Sequence, residues 1–161
     1  AAALQIPVLL HSGIFIDGRS GRFCRPTFYE ALRDHPSLRV TLAHLGWPWC
    51  DEAIAVGLID LINGVPPAEC CFRFDISFGP PPVYRHEVLH KALDVLGPEL
   101  IQFGSDRFLP CSGAHIRTAV DEVNALLTDL NVDDSGREQI MYHTAAAWLN
   151  LENREKTLEH K

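Results

Sequence analysis

The chain lacks any long apolar run. Nothing in it approaches the roughly 18 residues that cross a bilayer, and the opening AAALQIPVLL has no basic stretch of the kind that starts a secretory signal. It also lacks a CxxC pair. Its five cysteines, Cys24, Cys50, Cys70, Cys71 and Cys111, form an odd set, which argues against a disulfide framework and against a thiolate zinc site. Positive charge is scarce, with 14 Lys and Arg against 21 Asp and Glu, and the net charge of -7 disfavours attraction to nucleic acid or anionic lipid. The expectation is a soluble, cytoplasmic protein with a small-molecule partner, no nucleic acid and no membrane. Methionine is the rarest residue. Met141 is the only one, so the chain does not open on an initiator, and a strand-like IPVLL begins almost at once. We expect part of the protein to lie upstream.

What is present is enough for a real core: 161 residues, 47% of them hydrophobic, consistent with one globular domain. Short β-rich runs alternate with longer helical patterns, the order of βα units around a parallel sheet. Strands are expected at 6–10, 39–43, 71–77 and 100–104. Helices are expected at 27–35, 50–62, 85–96, 114–130 and 135–151, the last with Ile140, Met141, Ala145 and Leu149 turned inward. Pro26 suits a first helical turn, and Gly97-Pro98 stops the third helix. The charged tail, 152–161, follows.

Three of the four strands end in a group able to bind metal or move protons: PVLLH in His11, VTLAH in His44 and IQFGSD in Asp106. In parallel βα folds catalytic groups collect at these C-terminal strand ends. Imidazole and carboxylate suit Zn²⁺ or Mn²⁺, a catalytic site keeps a position open for water, and the metal lowers the pKa of that water. Each residue also has a plain structural alternative. For Asp106 it is the cap of the next helix. Trp47 and Trp49 either wall an apolar pocket or pack the loop. Arg22, Arg25 and Arg107 either grip a substrate carboxylate or lie solvated on the surface. Asp75 in FRFDIS either reaches His44 or pairs with Arg73. The helix pair His86 and His90 lacks the glutamate of HExxH and reads as surface.

The stretches IPVLLHSG, LRVTLAHLGWPWCDEAI, LGPELIQFGSD and REQIMYHTAAAWLNL resemble the amidohydrolase-related branch of the amidohydrolase superfamily, which includes aminocarboxymuconate-semialdehyde and resorcylate decarboxylases. The resemblance runs over roughly residues 5 to 151. It implies an α/β fold of the (β/α)₈ TIM-barrel type, with about the last four βα units in this chain: residues 1–151 as the C-terminal half of the barrel, 152–161 as tail. By the resemblance His11 and Asp106 are metal ligands, and His44 and Asp106 are catalytic, His44 acting on water or substrate. Trp47, Trp49, Arg25 and Arg107 are the substrate-binding candidates, and the cofactor is a divalent transition metal, Zn²⁺ first and Mn²⁺ as the alternative.

The implied activity is hydrolysis of a small carboxylated or cyclic substrate through a metal-activated water. The alternative is nonoxidative decarboxylation by the same metal. A second alternative is a silent fragment or scaffold, because the HxH or ExH ligand pair of the family's first strand occurs nowhere in this sequence. Four units in a chain well below the roughly 250 residues of such a barrel imply a homo-oligomer or pairing with the missing N-terminal half.

Overall fold

A computed structural model of the chain describes residues 1–35, 37–77 and 79–151. The expected tail at 152–161, His160 included, lies outside the described residues. Strands β1 (Val8–Leu10), β2 (Val40–Leu42), β3 (Phe72–Asp75) and β4 (Ile101–Gln102) form one parallel sheet in the order β1-β2-β3-β4. The regular ladder is shorter than the expected runs, but pairing continues past it. The Val8 N–H donates to the Arg39 carbonyl at 2.9 Å and the Ile76 N–H to the Gln102 carbonyl at 3.1 Å.

Register sets the two faces. Val8, Val40 and Phe72 stand abreast, as do Leu10, Leu42, Phe74 and Ile101. These rows meet Ala53, Val56, Leu89, Leu96, Leu127 and Ile140 in the core, where Val40, Leu42, Phe72, Phe74 and Ile101 are fully buried. Each such side chain contributes about 1.5–3 kcal/mol of burial. The alternate positions are different: Leu9, Thr41 and Arg73 form one row, Asp75 and Gln102 another. A face lined by polar side chains at the strand ends is what a site needs.

Helix α1 (Cys50–Ile62) has the expected bounds, with Asp51 and Glu52 in its first turn, where acids favour the helix dipole. Helix α2 (Pro82–Leu96) starts three residues before the expected 85, since a proline at the first helical positions sacrifices no hydrogen bond; Gly97 ends it at φ 74°. Helix α3 (Gly113–Asp129) is capped by Ser112, whose hydroxyl accepts the His115 N–H at 3.4 Å. The segment Pro26–Asp34 carries Pro26 at its first turn as expected, but winds as a 3-10 helix. No helix among the described residues is long and apolar enough to cross a membrane.

The closing helix needs a correction. It runs as α4 (Asp134–Glu138), a wide π turn (Gln139–His143) and α5 (Thr144–Leu149). A π turn inserts one residue into the helical period, so everything after it is rotated. Ile140 is buried as expected, but beyond the turn Thr144 and Ala146 face inward and Leu149 is 40% exposed. The turn also serves the sheet, because the Ile140 carbonyl accepts the Phe103 N–H at 2.9 Å and so anchors the chain leaving β4.

Candidate functional site

His11 follows β1 directly, and two contacts hold it. The Tyr29 hydroxyl donates to its carbonyl at 2.7 Å, and its Nε2 lies 3.0 Å from the Ile14 carbonyl. Since a carbonyl only accepts, Nε2 carries the proton and Nδ1 is the lone-pair nitrogen of the neutral ring. Burial, with Cys24 nearby, pushes the Tyr29 phenol up to about 12, so it remains a donor across the working pH range. The loop then crosses to the next strand end, where the Ile14 N–H donates to the Trp47 carbonyl at 3.0 Å. Gly13 permits that approach: at φ 125° it occupies a conformation L side chains rarely adopt, and a Cβ there would stand 2.2 Å from the Trp47 oxygen.

His44 sits two residues past β2 in a left-handed backbone conformation, φ 62° and ψ 24°, that costs a non-glycine residue about 1–3 kcal/mol. Asp75 offsets this. Its Oδ1 accepts the His44 N–H at 3.1 Å, and the His44 ring lies 2.7 Å through Nδ1 from the Ser77 hydroxyl. Arg73 does not pair with Asp75. Its guanidinium donates to the carbonyls of Cys70, Pro67 and Ala68 at 2.6, 2.8 and 3.0 Å, and burial lowers its pKa from the usual value.

The rings of His11 and His44 meet edge to face, with centroids 5.1 Å apart. Both line a pocket of about 380 Å³ together with Trp47, Phe15, Phe108 and Asp106. Asp106 is exposed, with φ 47°, on the loop after β4. It is not the cap of α3, because Ser112 fills that place. The three strand ends therefore share one mouth, walled by aromatic side chains.

The other candidates stand elsewhere. Arg25 pairs with Glu52 and lies over the Trp49 ring at 5.2 Å, and Trp49 borders a neighbouring groove with Asp51 and Tyr84. Arg107 borders another, with Arg85 and Glu122, which Asp106 also lines. Arg22 covers Phe23, and His90 pairs with Asp94 at 3.2 Å on the surface of α2. Ser77 was not a sequence candidate. The signal was the D-x-S step closing an apolar strand, but its target lies 33 residues earlier.

A catalytic zinc site typically has three protein ligands and an open position. Imidazole and carboxylate are the right donors, so His11 and Asp106 fit a metal in kind. In number they are not a complete set: among the described residues no group of three His, Cys, Asp or Glu side chains is placed to hold a metal ion.

A family model described as amidohydrolase matches residues 1–151. The chain belongs to the amidohydrolase family. No curated protein matches this amidohydrolase chain in sequence. Solved structures do match in fold. One is a zinc-bound amidohydrolase from Burkholderia multivorans, with 20% identity and a TM-score of 0.57 over 92% of this chain and 55% of the other. A protein assigned as a 2-pyrone-4,6-dicarboxylic acid hydrolase from Pseudomonas putida gives 17% and 0.58 over 94% and 54%. A dihydroxybenzoic acid decarboxylase from a Polaromonas species, with bound manganese and 2-nitroresorcinol, gives 16% and 0.54 over 94% and 52%. The chain thus spans about half the length of these structures, and its sheet is a partial barrel.

Proposed function

We propose that this chain forms the catalytic mouth of a metal-dependent amidohydrolase-type enzyme that hydrolyses a small carboxylated or cyclic substrate. The observation that supports the reading is the shared pocket of His11, His44 and Asp106 at the C-terminal ends of parallel strands. His11 and Asp106 would supply part of a ligand set for Zn²⁺ or Mn²⁺, with the remaining donors outside the described residues. When bound, such a metal polarises carboxylate and carbonyl oxygens and lowers the pKa of water. His44 is the group that accepts or returns a proton, at the nitrogen not engaged by Ser77. Trp47, Phe15 and Phe108 offer apolar ring faces to a flat substrate.

A second reading, nonoxidative decarboxylation, is favoured by the decarboxylase among the similar structures. Both readings put a carboxylated ring against the same residues. Incubating the full-length protein, loaded with Zn²⁺ or Mn²⁺, with a pyrone dicarboxylate and with dihydroxybenzoates separates them: ring opening without gas marks hydrolysis, carbon dioxide release marks decarboxylation. His44→Ala should lower turnover by about 100-fold or more and leave metal content near that of the parent. Asp106→Ala should lower both. A full-length protein that holds no metal and turns over neither class would instead support the scaffold reading.

A further inference from the structure

The Ser77 hydroxyl lies between two partners. It donates to Asp75 Oδ1 and sits 2.7 Å from His44 Nδ1. A hydroxyl has one proton, and a carboxylate oxygen can only accept. Two further donors, the backbone N–H groups of Ser77 at 2.9 Å and His44 at 3.1 Å, converge on the same Oδ1. Such a crowd of donors suits an ionised acceptor. With the hydroxyl proton committed to Asp75, the short contact to His44 is satisfied only if Nδ1–H donates to the Ser77 lone pair.

We propose that Asp75 and Ser77 are positioning residues that hold His44 as its Nδ1–H tautomer and turn the Nε2 lone pair into the pocket. The inference rests on the reading of His44 as the proton-moving group and adds how its proton is placed. His44 is held by four neighbours: Asp75 holds its backbone, Ser77 holds Nδ1, the His11 ring meets its ring, and Gly79 packs so closely that a Cβ there would stand 2.2 Å from the His44 Cβ. Asp75 and Ser77 are 5% and 4% exposed, so water does not compete for these bonds. His11 has the opposite arrangement, with its proton on Nε2 against the Ile14 carbonyl. The two rings therefore present different lone-pair nitrogens, Nδ1 of His11 and Nε2 of His44.

Long-range ¹H–¹⁵N correlation spectra of the full-length protein, metal-free or zinc-loaded, read the tautomer directly at a pH well above about 6.5, the unperturbed histidine value. The expected His44 signature is a protonated Nδ1 and an unprotonated Nε2. Ser77→Ala should shift the ring toward Nε2–H and lower kcat about 10- to 100-fold with KM little changed, while Ser77→Thr, which keeps the hydroxyl, should retain the Nδ1–H signature and most of the activity. A parent protein whose His44 carries its proton on Nε2 would overturn the inference without any variant being made, as would a Ser77→Ala protein with unchanged tautomer and kcat. Failure of the catalytic reading is separate: it would appear as full turnover in His44→Ala, whatever the spectra say of the parent.

Discussion

A methyl group at position 79 would collide with the Cβ of His44, so one missing side chain gives the imidazole its place. Gly79→Ala should displace His44 and lower turnover by about 100-fold, the penalty of a misplaced reacting group, with a stability loss of only about 1–3 kcal/mol from overpacking. Parallel kinetics and urea denaturation of that variant check both. Two thiols, Cys50 buried and Cys71 half-buried, make a different residue-scale prediction. Burial first, with Asp51 beside Cys50 and Asp60 beside Cys71, raises both from 9.0 to about 11. The folded state therefore holds these protons more tightly than the unfolded chain. Their contribution to stability is complete below pH 9 and is lost as the pH rises from 9 through about 11. Urea midpoints should fall over that window in the parent and fall less in a Cys50→Ala, Cys71→Ala double variant.

At the scale of elements, the strand ends were readable because the rule behind them is local: an apolar run followed by His or Asp marks the mouth of a parallel sheet. That reading brought His11, His44 and Asp106 to one pocket. It offered His44 as a partner of Asp75, which accepts the His44 N–H, but it missed Ser77, whose contact with His44 is fixed by the register of β2 against β3, which no short stretch encodes. It also grouped Arg25 and Trp49 with the pocket, whereas Glu52, at the third position of α1, draws Arg25 over the outer indole. The π turn left no compositional mark either. Its consequence is testable by denaturation: Ile140→Ala should cost about 2–5 kcal/mol, whereas Leu149→Ala, after the rotated period, should cost under about 1 kcal/mol. Equal losses would mean that Leu149 faces the core.

At the scale of the whole molecule, the sheet has two edges with no further strand among the described residues, β1 on one side and β4 on the other. Near the β1 edge Leu4, Ile6 and Leu9 are 74, 54 and 57% exposed, and Ile16 is fully exposed. On the polar face of the sheet Thr41 Oγ1 and Gln102 Oε1 are buried with no hydrogen-bond partner among the described residues. Open strand edges recruit other strands, and exposed apolar patches recruit other surfaces. In a (β/α)₈ barrel both needs are met by the four strands that close the circle. A polypeptide of these 161 residues, expressed alone, should therefore elute from gel filtration as a self-associated species or aggregate. Co-expression with the other half of a closing barrel should bring it to a defined complex with lower affinity for a hydrophobic dye. A sharply cooperative monomer that binds no such dye would refute the half-barrel reading, and with it the expectation that the remaining metal donors come from strands that close against β1 and β4.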